Sequence, residues 1–167
     1  MSKTISFGLS VSEIENAIKE VRAYQNDINY KCQIFAERLA QAGVEIARVN
    51  VANLDAIYSG ELLQSIRSEY AGTVKDGATW LIVTDCNYAA YVEFGTGVMG
   101  AGAPHPNTSI VGWKYDINEH GDMGWYYYKD GAWHWTKGMK SRPFMYETTV
   151  ELKARIETIA REVFRSA

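Results

Sequence analysis

One apolar seam runs through the first third of the chain and limits the folds open to it. Val11, Ile14, Ile18, Val21, Ile28, Cys32, Phe35, Leu39, Ala42, Ile46 and Val49 follow one another at intervals of three and four, with a polar break at Gln25. Spacing of this kind lines one stripe of an α-helix. Ahead of the seam, Ser10 and Glu13 read as a capping box, with Leu9 and Ile14 placed to form a hydrophobic staple. The stripe could serve a coiled coil. The alternative is a long N-terminal helix, or two with weak points at Gly43 and across Ala23 to Asn29, laid along a sheet. That second reading is the one expected here.

After the helix, which Ser59-Gly60 is expected to end, SIRSEYAGTVKDGATWLIVTD reads as two strands joined by a turn around Lys75-Asp76-Gly77. TWLIVTD has the β-branched, apolar character of a well-buried strand. NYAAYVEFGTG follows as a strand end leading into a loop. Gly100, Gly102, Pro104 and Pro106 mark residues 98–112 as loop. In GWYYYKDGAWHWTKG, Asp130-Gly131 lies between alternating aromatics, a strong hairpin signal. Pro143 then opens a C-terminal helix in which Met145, Thr149, Leu152, Ile156, Ile159 and Val163 recur at helical spacing.

The order helix, strands, loop, hairpin, helix contains no βαβ alternation. The expected fold is α+β: an antiparallel β-sheet packed against a long N-terminal helix and a C-terminal helix, with an aromatic β-hairpin insertion. The 167 residues suit a single domain spanning 1–167, able to bury about 70% of its unfolded surface, with residues 98–139 as the loop-plus-hairpin insertion. No metal or disulfide staple is needed. Cys32 and Cys86 are expected as small thiols in a reducing compartment.

Charge narrows the function classes. The 17 basic residues are scattered among 20 acidic ones, for a net charge of -3. Sequence-specific nucleic-acid recognition, which needs a basic stripe, is not expected. The start, MSKTISFGLS, has no apolar signal core, and no run approaches the roughly eighteen apolar residues of a membrane span. A soluble product of the cytosol, without membrane attachment, is expected.

Phe94-Gly95-Thr96-Gly97 lacks the third glycine of a dinucleotide loop and is not expected to feed a helix, so no phosphate site is read there. His105, His120 and His134 stand in no nucleophile elbow. Glu119-His120-Gly121-Asp122 lacks the helical spacing of a metal pair. No catalytic, cofactor or metal residue is therefore assigned. Glu93, among Tyr91, Val92 and Phe94, has two readings: a general acid, or a carboxylate tied to backbone N–H groups or an arginine. The second is favoured because buried charges are usually paired. The aromatic hairpin loosely resembles the repeats of choline-binding and related cell-wall modules, but it occurs once. Contact with another protein, or packing on the chain's own sheet, is the better reading for Trp125, Tyr127, Trp133 and Trp135.

Three segments together carry a family resemblance: SGELLQSI at 59–66, YAAYVEFGTG at 88–97, and RPFM at 142–145 before the closing helix. Their order resembles the small tail-component (gp-ten-like) proteins of long-tailed bacteriophages and their prophages. YVEFGT is the specific part; the helix before residue 59 agrees in character alone, and residues 98–139 exceed the simplest family pattern. The resemblance implies a non-enzymatic virion protein of the head–tail junction, made in the host cytoplasm, that assembles into rings and meets connector or head-completion and tail-tube proteins. Its modest negative charge would keep a channel wall from gripping passing DNA phosphates. The structural and contact candidates are Tyr88, Tyr91, Glu93, Phe94, Gly95, Thr96, Gly97, Trp125, Tyr127, Trp133, Trp135, Arg142, Pro143 and Phe144.

Overall fold

The structure, a computed structural model, describes residues 4–57, 59–74, 77–109, 112–116, 118–121 and 123–165. It is an α+β arrangement of a long N-terminal helix, two small antiparallel sheets and a C-terminal helix. Of the one or two helices the sequence allowed, a single one forms: α1 runs unbroken from Val11 to Asn53, about 65 Å at 1.5 Å per residue. Ser10 caps it as a complete capping box. Its hydroxyl meets the Glu13 backbone N–H and also donates to the Glu13 carboxylate, which accepts from the Ser10 N–H at 3.2 Å. The staple does not form, since Leu9 is 92% exposed.

The Ser10 hydroxyl, and then its backbone N–H, hold the Glu13 carboxyl below the usual glutamate range. Such a group adds stability above its unfolded pKa and loses it as pH falls through the folded one. Acidification through that lowered value should fray the first turn of α1, read as faster amide exchange at Glu13 and Ile14. Unchanged exchange would show that the cap contributes nothing.

Only the C-terminal part of α1 is laid along other elements. From Val11 to Tyr30 it is mostly exposed, with Ala17 alone buried. From Cys32 onward it meets β2 (Gly77–Val83) and α5 (Phe144–Arg165), with Phe35 and Phe164 ring centroids 6.0 Å apart. Gly43, expected as a weak point, is instead a point of close approach. A Cβ there would run into Ile82 of β2 and stand 3.3 Å from Leu152 of α5.

β1 (Arg67–Val74) pairs antiparallel with β2, with a register shift between Tyr70 and Gly72; Lys75 and Asp76 of the expected turn lie outside the described residues. β2 is half-buried rather than well buried, and Leu81 is exposed. The sheet has two strands, and no side chain of β2 is fully covered.

Ser59-Gly60 does not end α1. It opens a short helix, α2 (Glu61–Ser65), with Gly60 in the left-handed conformation at its N-cap. YAAYVEF is likewise helix rather than strand end, forming α3 (Ala89–Phe94). The expected loop after it begins with α4 (Gly97–Gly102). These helices of five and six residues are too short to show a period against their local composition. The hairpin forms as expected, β3 (Trp125–Lys129) with β4 (Ala132–Thr136). Asp130 and Gly131 both take positive φ, as the tightest hairpin turn requires. It makes a separate sheet rather than adding to the first. Pro143 stands just before α5, its carbonyl accepting the Glu147 N–H at 2.9 Å.

The core gathers where the end of α1, α2, α3 and the start of α5 meet. Val44, Ala47, Val51, Leu62, Ile66, Ala89, Val92 and Phe144 are all buried there.

Candidate functional site

The three segments that carry the family resemblance converge on this core. α3 lies between the other two, and each side of it is held by a different set of hydrogen bonds. On one side Tyr88 shares a hydroxyl bond with Ser59 at 3.2 Å and accepts from the Leu62 N–H at 3.3 Å. On the other, the Val92 carbonyl accepts from the Arg142 N–H at 2.8 Å and the Glu93 carbonyl from the Ser141 hydroxyl at 2.6 Å. Arg142 also donates through Nε to the Leu54 carbonyl at 3.1 Å, tying the end of α1 to residues 139–142, a strap that leads into α5.

Glu93 is the centre of this joint. Its side chain is buried and receives three hydrogen bonds. Met145 N–H donates to Oε2 at 2.8 Å, Tyr146 N–H to Oε1 at 3.0 Å, and His105 Nε2 meets Oε1 at 3.0 Å. Met145 and Tyr146 belong to the first turn of α5, whose N–H groups have no partner within the helix. The carboxylate supplies them one from outside, at the helix end that favours negative charge. Tying to backbone N–H groups is thus what Glu93 does; the third partner is histidine, not arginine.

The histidine tautomer follows from its other bond. The Asn107 N–H donates to Nδ1 of His105 at 3.1 Å, so Nε2 carries the hydrogen and donates to Glu93. Aromatic rings close the surroundings: Phe94 lies 4.9 Å from both His105 and Trp113, and Tyr146 meets His105 edge-on at 5.4 Å. Tyr91, more exposed than Tyr88, rests on Trp113 at 5.8 Å. His105 and Trp113 are the functional neighbours that sequence reading missed. The one local sign was Pro104-His105-Pro106, in which prolines restrict the backbone on both sides.

The Phe94-Gly95-Thr96-Gly97 turn does lead into a helix, contrary to expectation, yet three N–H groups at the helix start are already engaged. Thr96 N–H donates to Met139 O at 2.8 Å, Gly97 N–H to Tyr115 O at 2.6 Å and Met99 N–H to Lys137 O at 3.1 Å. An anion cradle needs these donors free. The glycines are there for contact: a Cβ on Gly97 would stand 2.6 Å from Lys137 O and 2.8 Å from the Trp125 ring.

The hairpin has two unlike faces. Tyr126, Tyr128, Trp133 and Trp135 form two edge-on pairs, with centroids 4.8 and 5.4 Å apart, and all four are exposed. Trp125 and Tyr127, on the other face, line a cavity of about 770 Å³ with Asp55, Glu61, Tyr88 and Arg142. Glu93 does not line it. Of the expected contact residues, Trp133 and Trp135 are therefore on the outer face, Trp125 and Tyr127 on the inner one. Pro143 and Phe144 belong to the joint, Phe144 in the core.

Among the described residues no group of three His, Cys, Asp or Glu side chains could hold a metal ion. Asp122 of the Glu119–Asp122 turn lies outside them. Asp116 accepts from the Gly121 N–H at 2.7 Å and the His120 N–H at 2.8 Å, bonds that hold its carboxyl below the usual aspartate range. No helix of the described residues is long and apolar enough to cross a membrane. Comparison with family models, with characterised proteins and with solved structures finds no match for this chain.

Proposed function

We propose that the chain is a structural virion component of a tailed phage or prophage, acting at the head–tail junction as a tail-completion, tail-terminator or connector component. It works by docking and by forming a ring, with copies of itself and with connector, head-completion and tail-tube proteins, and it uses neither cofactor nor catalytic group. The observation that carries this reading is the convergence of the three resemblance-bearing segments in one joint. SGELLQSI, YAAYVEFGTG and RPFM hold one another through Tyr88, Glu93 and Arg142. A physical unit of this kind is what a family would carry together. Glu93 spends both oxygens on a helix end and a histidine, which suits a structural part.

Particles assembled without the chain test the reading. In the phage or prophage that encodes it, deletion should leave filled heads and tails that do not join, or tails of abnormal length, in electron micrographs. Normal infectious particles without the chain would overturn it. The exposed aromatic face supplies a docking surface of the expected chemistry. Replacing Trp133 with serine should change folding stability by no more than about 1 kcal/mol, the scale of one cross-strand pair, yet weaken binding to purified tail or connector proteins. Unchanged binding would remove the hairpin from the interface.

A second reading rests on the cavity under the hairpin. Aromatic rings of Trp125, Tyr127 and Tyr88 beside the carboxylates of Asp55 and Glu61 suit a carbohydrate or cell-wall fragment, as rings stack on sugar faces and carboxylates accept from hydroxyls. Titration with peptidoglycan fragments should then shift tryptophan fluorescence. A flat titration would end this reading.

A further inference from the structure

The N-terminal half of α1 carries an apolar stripe that the rest of the described chain leaves open. Val11 is 75% exposed, Ile14 38%, Ile18 45% and Val21 52%, and Ile28 is half-buried. These residues and Gln25 occupy successive a and d positions of a heptad pattern, with Val11, Ile18 and Gln25 at a and Ile14, Val21 and Ile28 at d. Glu15 and Arg22, both exposed, then fall at e, and Ala17 and Tyr24 at g.

We propose that this stretch is a self-association surface that pairs antiparallel with the same stretch of a second copy. The charges select both the direction and the register. Antiparallel helices bring e against e and g against g, while parallel ones bring g against e. In a parallel pair Arg22 would face Ala17, and Glu15 would face Ser10, where α1 has not begun. No opposite charges would meet.

Antiparallel pairing offers three registers that keep a layers against d layers over most of the stretch. The central one sets Val11 against Ile28, Ile14 against Gln25 and Ile18 against Val21, each twice by symmetry. It also sets Glu15 against Arg22 twice. A slip of one heptad in one direction opposes Glu15 to Glu15. A slip in the other opposes Arg22 to Arg22. Like charges facing across a seam disfavour the wrong arrangement as much as opposite ones favour the right one.

Shape agrees with this choice. The open stretch begins at Val11, whereas the end of α5 comes against α1 where Val163 lines a pocket with Asp27, Tyr30 and Lys31, and the strand hairpin meets it from Cys32 onward. Antiparallel pairing puts the two folded bodies at opposite ends of the shared helical segment. Parallel pairing would force them side by side. The segment is 18 residues, Val11 to Ile28, or about 27 Å. That is short for a coiled coil, so the dimer should be concentration-dependent. A two-fold contact closes at two copies, so it is distinct from the head-to-tail contact of a ring and holds or fails independently of the function proposed above.

Sedimentation of the full chain over a concentration series tests the proposal. The mass should rise from 18.8 kDa toward twice that value. Ile18→Asp, at an exposed position, should keep the mass at that of one chain, with a thermal midpoint equal to that of the wild-type chain at concentrations too low for pairing. Glu15→Arg or Arg22→Glu alone should weaken pairing several-fold, and the double variant E15R/R22E should restore it. A single-chain mass at every concentration would overturn the proposal, as would a dimer that persists in Ile18→Asp. Single reversals without effect, or a double variant that stays weak, would overturn the antiparallel register. Pairing only with another protein's helix, never with itself, would likewise count against a second copy.

Discussion

Glu93→Ala should lower the stability of the chain by about 3–5 kcal/mol, the scale of breaking a buried hydrogen-bonded charge while leaving its partners in place. Two N–H groups at the start of α5 and the His105 ring would lose their acceptor together. At roughly 2–4 °C per kcal/mol for a chain of this size, the thermal midpoint should drop by about 10 °C. Glu93→Gln separates the charge from the volume. One of its two oxygens becomes an NH₂ donor, which must then face Met145 or Tyr146 N–H groups or the His105 donor. An unpaired buried donor costs about 1–3 kcal/mol, so the amide should also be destabilised, though less. Amide exchange at the first turn of α5 should quicken in both variants. Wild-type stability in Glu93→Gln would contradict the assignment of Glu93 as the joint of the fold, and would reopen its reading as an acid.

Gly95→Ala is the second large effect. Gly95 has φ 80° and ψ 169°, a region that glycine alone enters cheaply and that costs another residue about 1–3 kcal/mol. A Cβ there would also stand 2.7 Å from the Ser141 nitrogen and 2.8 Å from the Met139 oxygen. Both are backbone atoms of the strap that leads to RPFM, and moving them disturbs the Arg142 and Ser141 bonds to α3. Overpacking of this kind adds about 1–3 kcal/mol more. The urea midpoint should fall with the slope of the transition unchanged. Gly102→Ala is the control: nothing lies within 4 Å of a Cβ there and its φ is not positive. A Gly95→Ala variant as stable as Gly102→Ala would show that the strap does not press on the turn.

What was readable in the sequence was local. The Ser10–Glu13 box, the Asp130-Gly131 hairpin and the helix after Pro143 each depend on residues within a few positions of one another, and each is found in the structure. The three short helices were hidden for the same reason in reverse. Ala89–Phe94 is rich in residues that also suit a strand, and Gly97–Gly102 is half glycine, so packing rather than propensity decides their form. α1 continues through Ala23 to Asn29 because no proline or glycine interrupts it there, and polar residues merely leave it exposed.

The site divides along the same line. That Glu93 is tied down followed from its apolar neighbours. Which groups tie it down did not, because His105 is twelve residues away in sequence and Met145 and Tyr146 more than fifty. The trio of motifs was visible as an order along the chain. Its cause is visible only in space, where α3 is gripped from both sides.

Docking at the junction of head and tail, as proposed, would depend on the exposed hairpin face. The most direct test supplies the deleted phage or prophage with Trp133→Ser, a variant of the exposed hairpin face that leaves the joint around Glu93 intact. Electron micrographs and plaque counts are then read against the wild-type chain. Filled heads and separate tails, with few infectious particles, are expected from a protein that is folded and present at normal amounts. Full infectivity from Trp133→Ser, together with full infectivity from the deletion itself, would contradict it.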